Sequence, residues 1–272
     1  MRTGKGGGGR ALLGALLVFG LGAGASGGAR AAEAPKPAID PTAIAALQRM
    51  GAFLRGLQTM EVQSEMTTDD VLGSGQKVEL QGTVDMKVRR PSRLSVDVRS
   101  DRKNERITYD GTTFTVFQPT IGYYASFSAP PTLGELVDVL EQKYGVDLPL
   151  ADLFRLGNNE GQLAAIRGAS FVGYSTVKGS VCSHYAFHQS DVDWELWIQE
   201  GAQPLPRKLV IRTTTEKTQP QHTSVMTWNL SPTLEDQAFV FTPPANAQRI
   251  EFDVTKAGAA SRSLKAGGGS TP

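Results

Sequence analysis

The chain has 272 residues, with 28 Lys and Arg against 27 Asp and Glu, a net charge of +1 and a single cysteine, Cys182. The balanced charge and the lack of a basic patch argue against a nucleic-acid-binding protein. A single cysteine excludes an intramolecular disulfide, and the length suits one fairly large domain or two small ones.

Residues 1–31 have the layout of a secretory signal peptide. The first ten residues carry three basic side chains and no acidic one, the apolar run ALLGALLVFGLGAGA follows, and Ala29 and Ala31 stand at the small-residue positions of a cleavage site. The run is shorter than the ~20 apolar residues that a transmembrane helix needs, although an uncleaved anchor is the alternative. We expect a soluble, monomeric, periplasmic protein with a net charge of −3 after cleavage.

An amphipathic helix is predicted over residues 41–59, after a linker at residues 32–39. Asp40 is the expected N-cap and Pro41 the first helical residue. Apolar residues then recur at helical spacing from Ile44 to Leu57.

From Met60 the apolar period changes to two, which predicts strands. The run VELQGTVDMKV at 78–88 alternates apolar and polar side chains, and RLSVDVRS at 93–100 does the same. The Asp110-Gly111 pair between two β-rich runs predicts a hairpin. Because the connections are too short for parallel crossovers, we expect an antiparallel meander.

Helices are predicted to interrupt the strands after residue 130. Thr132 and Glu135 form a capping box, Gly145 is the expected end of that helix, and Pro149 opens a second short helix. About five more strands follow, and residues 255–272 form a small-residue tail that we expect to be disordered. The predicted fold class is α+β and mainly β: a curved antiparallel sheet that forms an unclosed half-barrel, with helices lidding its concave face.

No catalytic residue, metal site or cofactor is predicted. His184 and His188 would lie about 13 Å apart on a strand, too far to share a metal. The Ser175-Thr-Val-Lys178 run matches a serine–x–x–lysine motif, but that motif requires a helix start and its neighbours here favour strand. Cys182 is interpreted as a small strand side chain. We therefore expect a protein that is not an enzyme, with a hydrolase kept as an alternative.

The markers RRPSRLSVDV, ITYDGTTFTVFQP, DWELWIQEGAQPLPRKLVI and FVFTPPANAQRIEF, together with YGVDLPLADL and TWNLSP, resemble the family of predicted periplasmic proteins called domain of unknown function 2092. The resemblance spans roughly residues 40–253, so a single domain is expected over residues 40–254. That family is in turn similar in architecture to the lipoprotein carriers LolA and LolB and to the regulator RseB. The resemblance implies a half-barrel with a hydrophobic concave face. It does not assign any binding residue of the carriers to a position in this sequence.

The leading hypothesis is a periplasmic carrier that sequesters acyl chains or lipoproteins in the concavity. The predicted lining residues are Val84, Met86, Val88, Leu94, Val96, Val98, Phe114, Val116, Leu133, Leu136, Val137, Leu140, Trp194 and Leu196. The alternative is that these side chains simply pack on one another as a core.

A sensing or interaction module, as the RseB resemblance implies, is the second hypothesis. Its partner would be an envelope membrane protein. An exposed Trp197 and the pair Tyr123-Tyr124 are its candidate contact points, because Trp197 falls on the parity opposite to Trp194.

Overall fold

The computed structural model describes residues 38–144, 148, 150 and 160–251. The predicted signal peptide, the helix end at Gly145, the short helix opened by Pro149 and the tail at 255–272 lie outside these residues. All described residues belong to one compact unit.

The described part of the chain contains a twelve-stranded sheet and three α-helices. The helices are α1 (Pro41–Gly56), α2 (Leu133–Val139), which continues into a π-helical turn (Leu140–Tyr144), and α3 (Glu160–Ala165). The strands are β1 (Thr59–Val71), β2 (Lys77–Arg89), β3 (Arg93–Ser100), β4 (Asn104–Tyr109), β5 (Thr113–Gln118), β6 (Tyr123–Ser128), β7 (Gly168–Val177), β8 (Ser180–His188), β9 (Val192–Gln199), β10 (Pro206–Thr213), β11 (Gln221–Asn229) and β12 (Gln248–Arg249). A 3₁₀ turn (Asp236–Phe239) precedes β12.

The sheet is open, and its strand order is β12-β6-β5-β4-β3-β2-β1-β11-β10-β9-β8-β7. Neighbouring strands are antiparallel, except that β12 pairs with β6 in parallel. A flat sheet of this width would span about 50 Å. Phe114 of β5 and Phe187 of β8 nevertheless belong to one hydrophobic cluster, so the sheet must curve around it. The predicted unclosed, curved, mainly antiparallel sheet is confirmed.

Helix α1 begins as predicted, because the Asp40 side chain accepts a hydrogen bond from the Thr42 amide at 2.8 Å. It ends at Gly56, three residues before the predicted end at 59. The reason is long-range pairing: Thr59 already pairs with Arg89, so the chain leaves the helix to enter β1. The predicted linker also differs at its last residue, since Ile39 forms a parallel bridge with Ala169 of β7.

Other local predictions are confirmed in the described residues. The Thr132 side chain accepts a hydrogen bond from the Glu135 amide and contacts the Glu135 carboxylate at 2.7 Å, which completes the capping box. Asp110 and Gly111 form the turn between β4 and β5, with Gly111 at φ +95°. A conformation with positive φ is one that glycine adopts without strain.

The segment after β11 covers part of the convex face. Phe239 is completely buried, and Phe241 packs on Phe117 and Tyr124 with ring centroids 5.3 and 5.0 Å away. Arg89 pairs with Asp236 at the start of this cover. Part of the outer face of β3 to β6 is therefore packed as well: Ser95, Thr108 and Thr115 on the outward parity are buried, whereas Arg99 and Arg106 on the same face are exposed.

Candidate functional site: the concave face

The fourteen predicted lining residues converge on the concave face. Thirteen of them are buried, and Val116 is partly buried. All belong to, or pack against, one hydrophobic cluster that also takes Leu47, Met50 and Leu54 from α1. Strand periodicity explains this convergence, because alternate residues of every strand point to the same side. Among the described residues these side chains contact one another.

The helices are joined to the sheet by their ends. The Asp40 amide donates to the Ala169 carbonyl at 2.8 Å, and the Leu133 amide donates to the Pro91 carbonyl at 2.9 Å. The Tyr109 hydroxyl donates to the Pro130 carbonyl just before α2. Beyond these N-terminal hydrogen bonds, α1 and α2 pack on the sheet through apolar side chains.

The concave face becomes less buried toward the end of the sheet that carries the β1–β2 turn, here called the upper end. Met66, Val192 and Ile211 pack against the hydrophobic cluster there but are only partly buried, and Leu80 is likewise half-buried. The apolar interior therefore reaches the surface at the upper end.

A continuous cross-strand row crosses this region. In register, Leu80 of β2 faces Thr68 of β1, Thr68 faces His222 of β11, His222 faces Ile211 of β10, and Ile211 faces Trp194 of β9. Two polar side chains thus lie within an otherwise apolar row. Such a combination, mostly apolar with a few convergent polar groups, is typical of small-molecule sites.

The polar part of the row is the His222 cluster, made of Thr68, His222 and Ser224. The Thr68 hydroxyl lies 2.7 Å from His222 Nδ1, and the Ser224 hydroxyl lies 2.9 Å from His222 Nε2. Ser224 is 1% exposed. Burial lowers the pKa of His222 below its usual value of 6.5, so the imidazole is neutral at pH 7.

The sequence analysis did not predict the His222 cluster. Alternation within QHTSVMTWN places His222 and Ser224 on the face of the buried Met226. That signal was present in the sequence. Thr68 could not have been added, because its pairing with His222 joins residues 154 positions apart.

Trp194 and Trp197 lie on opposite faces, as their parity predicts. Trp194 stacks on Phe187 inside the concavity. Trp197 is covered on the outer face: it is 9% exposed, clusters with Cys182 and Val210, and stacks on His184 at 3.8 Å. The prediction of Trp197 as an exposed contact point is therefore wrong.

The other candidate contacts and the thiol have local partners. Tyr123 is 38% exposed, whereas Tyr124 packs on Phe241.

Cys182 is fully buried, and burial raises the pKa of its thiol. A raised pKa suppresses the thiolate, so Cys182 has the character of a small core side chain.

The motifs weighed for catalysis lie on strands. His184 contacts the Glu195 carboxylate at 2.8 Å, and His188 contacts that of Asp193 at 2.6 Å, both across β8 and β9. Ser175 is in β7, and Lys178, in the following turn, pairs with Glu65. This is not the helix start that the serine–x–x–lysine motif needs. No group of three or more His, Cys, Asp or Glu suited to a metal occurs within the described ranges.

A polar cleft of about 360 Å³ lies on the convex face across β11, β1, β2 and β3. Asp97 and Asp85 line it, but Asp97 is paired with Arg106 at 2.8 Å and Asp85 lies 3.4 Å from Lys87. These are neighbouring charges of a solvated strand face, and they are separate from the concave site.

Comparison with known proteins places the chain in a family. The model of the family described as "Predicted periplasmic protein (DUF2092)" matches residues 43–253. No curated protein sequence matches the chain. In the part of the chain that the structure describes, no helix is long and apolar enough to cross a membrane.

Solved structures with similar folds share little sequence with the chain. The lipoprotein LppX of Mycobacterium tuberculosis is 13% identical, with 72% of this chain and 100% of LppX covered and a TM-score of 0.45. The MucA/MucB complex of Pseudomonas aeruginosa is 18% identical, with coverage of 77% and 63% and a TM-score of 0.43. The LolA superfamily protein NE2245 of Nitrosomonas europaea is 11% identical, with coverage of 73% and 97% and a TM-score of 0.36.

Proposed function

We propose that this chain, which belongs to the DUF2092 family of predicted periplasmic proteins, binds and carries acyl chains on its concave face. The observation that carries the proposal is the apolar inner surface that reaches solvent at the upper end, beside Met66 and Ile211. Burial of a C16 chain there would remove about 16 methylene groups from water at about 0.8 kcal/mol each, before the cost of ordering. No catalytic group is needed for such sequestration.

The way in which the helices are attached supports this proposal. Apolar contacts are non-directional and roughly proportional to the area removed from water. An acyl chain that replaces part of the contact between α1 and the sheet therefore exchanges one apolar surface for another. The hydrogen bonds at Asp40 and Leu133 would hold the helix ends during this exchange.

A pair of variants on one strand tests the proposal. Met66 faces the concave rim, and the adjacent Thr67 faces outward. Met66→Glu should weaken binding of a palmitoyl ligand at least tenfold, because a carboxylate would replace an apolar contact, while Thr67→Glu should leave binding unchanged. Titration calorimetry, with melting curves of both variants, measures the difference. Equal binding by both variants, or a wild type that takes up no acyl ligand, would rule the proposal out.

Native mass spectrometry of protein purified without detergent identifies what the protein carries from the cell. We expect additional mass from an acyl lipid or a lipoprotein, removed by delipidation and restored by adding the lipid back. Protein that shows only its own mass, and that binds no palmitoyl ligand in the titration, would oppose a carrier.

A second candidate function is protein binding, and the edge strand β7 favours it. Phe171, Val172 and Tyr174 of β7 are 40%, 55% and 71% exposed, and the strand contains no charged residue. Charged side chains are one of the features that keep an edge strand from pairing with another chain, and β7 has none. Within the described residues, the partners on that side lie at the start of the strand: Ile39 bridges to Ala169, and the Phe171 amide donates to the Asp40 carboxylate at 3.4 Å. The expected occupant is an extended segment of an envelope protein that adds to the edge by β-augmentation.

Charges on the edge test this second function. Val172→Lys and Tyr174→Lys should abolish capture of the partner from envelope membranes, while the matched change Ser190→Lys, in an exposed loop, should not. Backbone amides of β7 should become protected from hydrogen exchange in the wild-type complex. Capture that survives both edge variants, or unchanged exchange in β7, would exclude β-augmentation.

A further inference from the structure

We propose that the His222 cluster holds the carbonyl oxygen of an acyl ester or amide whose hydrocarbon chain lies along the concave face. This inference rests on the proposed acyl-binding function and assigns the polar end of the ligand. It is carried by the row that joins Leu80, Thr68, His222, Ile211 and Trp194, in which polar side chains interrupt an apolar surface.

Within the His222 cluster, one hydroxyl hydrogen has no acceptor among the three side chains. A neutral imidazole carries one N–H and one acceptor nitrogen. One hydroxyl, from Thr68 or Ser224, must donate to the bare nitrogen, and the other must accept from the N–H. The accepting hydroxyl keeps its own hydrogen, which has no acceptor within the described part of the chain. Either tautomer therefore offers one O–H donor.

The surroundings of this donor select the ligand. Met66 faces Ser224, and Ile211 faces His222, so apolar side chains border the donor. An O–H group in such a place gains from a neutral acceptor, since an unsatisfied polar group out of water is costly. An ester or amide carbonyl provides that acceptor at the head of a hydrocarbon chain.

The charges near the cluster favour a neutral ligand over an ionised fatty acid. The next inner-face position on β1 is Asp70, about 7 Å from Thr68 along the strand. Its carboxylate is paired with Arg102 at 2.5 Å. A ligand carboxylate would meet this carboxylate and a cation that is already engaged, whereas an ester carbonyl carries no charge to be repelled.

Two ligands that differ only in the carbonyl provide the test. 1-Palmitoylglycerol and its ether analogue 1-O-hexadecylglycerol have chains of the same length, but only the ester has a carbonyl. One added hydrogen bond corresponds to about threefold to tenfold in affinity. We expect wild-type protein to bind the ester tighter by this factor in titration calorimetry.

Variants locate the preference. The Ser224→Ala and Thr68→Val single variants and their double variant should reduce the ester-to-ether ratio toward one, with ether affinity unchanged. The control Thr227→Val removes a hydroxyl from the exposed outer face of the same strand and should keep the ratio. If the double variant does not fold, either single variant decides the question.

The outcomes separate this inference from the function on which it rests. Equal wild-type affinity for ester and ether, or a preference that survives the variants, overturns the carbonyl site and leaves acyl binding in place. A wild type that binds neither ligand overturns both.

Discussion

Trp194 of β9 stacks on Phe187 of β8 inside the concavity, with ring centroids 4.0 Å apart and planes inclined by 15°. Trp194 also faces Ile211, which in turn faces His222, so this indole ends the row that contains the His222 cluster. The environment of this indole therefore reports on the concave face. Trp197 lies on the outer face, and the Trp228 indole donates to the Pro206 carbonyl.

The first prediction uses that indole. In a Trp197→Phe, Trp228→Phe background, the emission of Trp194 should shift blue or gain intensity when a palmitoyl ligand is added, because water leaves its surroundings. The matched protein that keeps Trp197 alone should show no change. A response of Trp197 equal to that of Trp194 would place binding elsewhere.

The second prediction concerns the strand that contains Val84, Met86 and Val88. Met86 is 1% exposed and lies in the core cluster, so Met86→Glu should lower the free energy of unfolding by several kcal/mol through an unpaired buried carboxylate. Thr83→Glu, at an exposed position on the outer face of the same strand, should cost less than about 1 kcal/mol. Denaturant unfolding of both variants measures the difference. A folded, stable Met86→Glu protein would show that water reaches this position.

A third prediction follows from the lowered pKa of His222. The unfolded state protonates near pH 6.5 and the folded state only at a lower pH, so the unfolded state binds more protons between these values. The free energy of unfolding should therefore rise with pH in this window and fall as pH drops below about 6.5. His222→Gln should flatten the profile there, while His188→Gln, at an exposed position, should not remove this contribution. A wild-type profile that is flat between pH 5 and 7 would contradict the prediction.

The fourth prediction compares two glycines. Gly111 has φ +95°, and an added Cβ would contact the Arg93 guanidinium, so Gly111→Ala should destabilise the fold by about 1–2 kcal/mol. Gly134, in α2, has nothing within 4 Å of an added Cβ. Gly134→Ala should stabilise by up to about 1 kcal/mol through helix propensity. Thermal melts of the pair check the signs, and a stabilised Gly111→Ala protein would contradict the assigned turn.

Local periodicity explains what the sequence could predict. Alternation in Val78 to Val88 assigned every side chain to its face, because the strand period of two needs no knowledge of the partner strand. The capping box at Thr132 and the turn at Gly111 are equally local. All fourteen predicted lining residues fall on the concave face or its helices for the same reason.

Features that depend on long-range pairing escaped prediction. The burial of Trp197 requires Val177, Cys182 and Val210 to meet on the outer face. The cover by Phe239 and Phe241 depends on a chain segment that returns to β3–β6 after β11. The His222 cluster needs the β1–β11 register. Whether apolar side chains line a cavity or pack as a core depends on the volume left between the sheet and the helices. The alternation of apolar and polar residues does not predict that volume.

The pairing of β1 with β11 also constrains the order in which the chain can fold. Strands β2 to β6 pair with strands that are adjacent in sequence. The second edge of β1 instead pairs with β11, so that Glu61 faces Asn229. A chain that emerges from a translocation channel with its N-terminus first would form one half of the sheet while an edge of β1 stays open. That edge is exposed to aggregation until the last long strand arrives. The expected rate-limiting event in folding is therefore the pairing of β1 with β11, which cannot begin until β11 has left the channel.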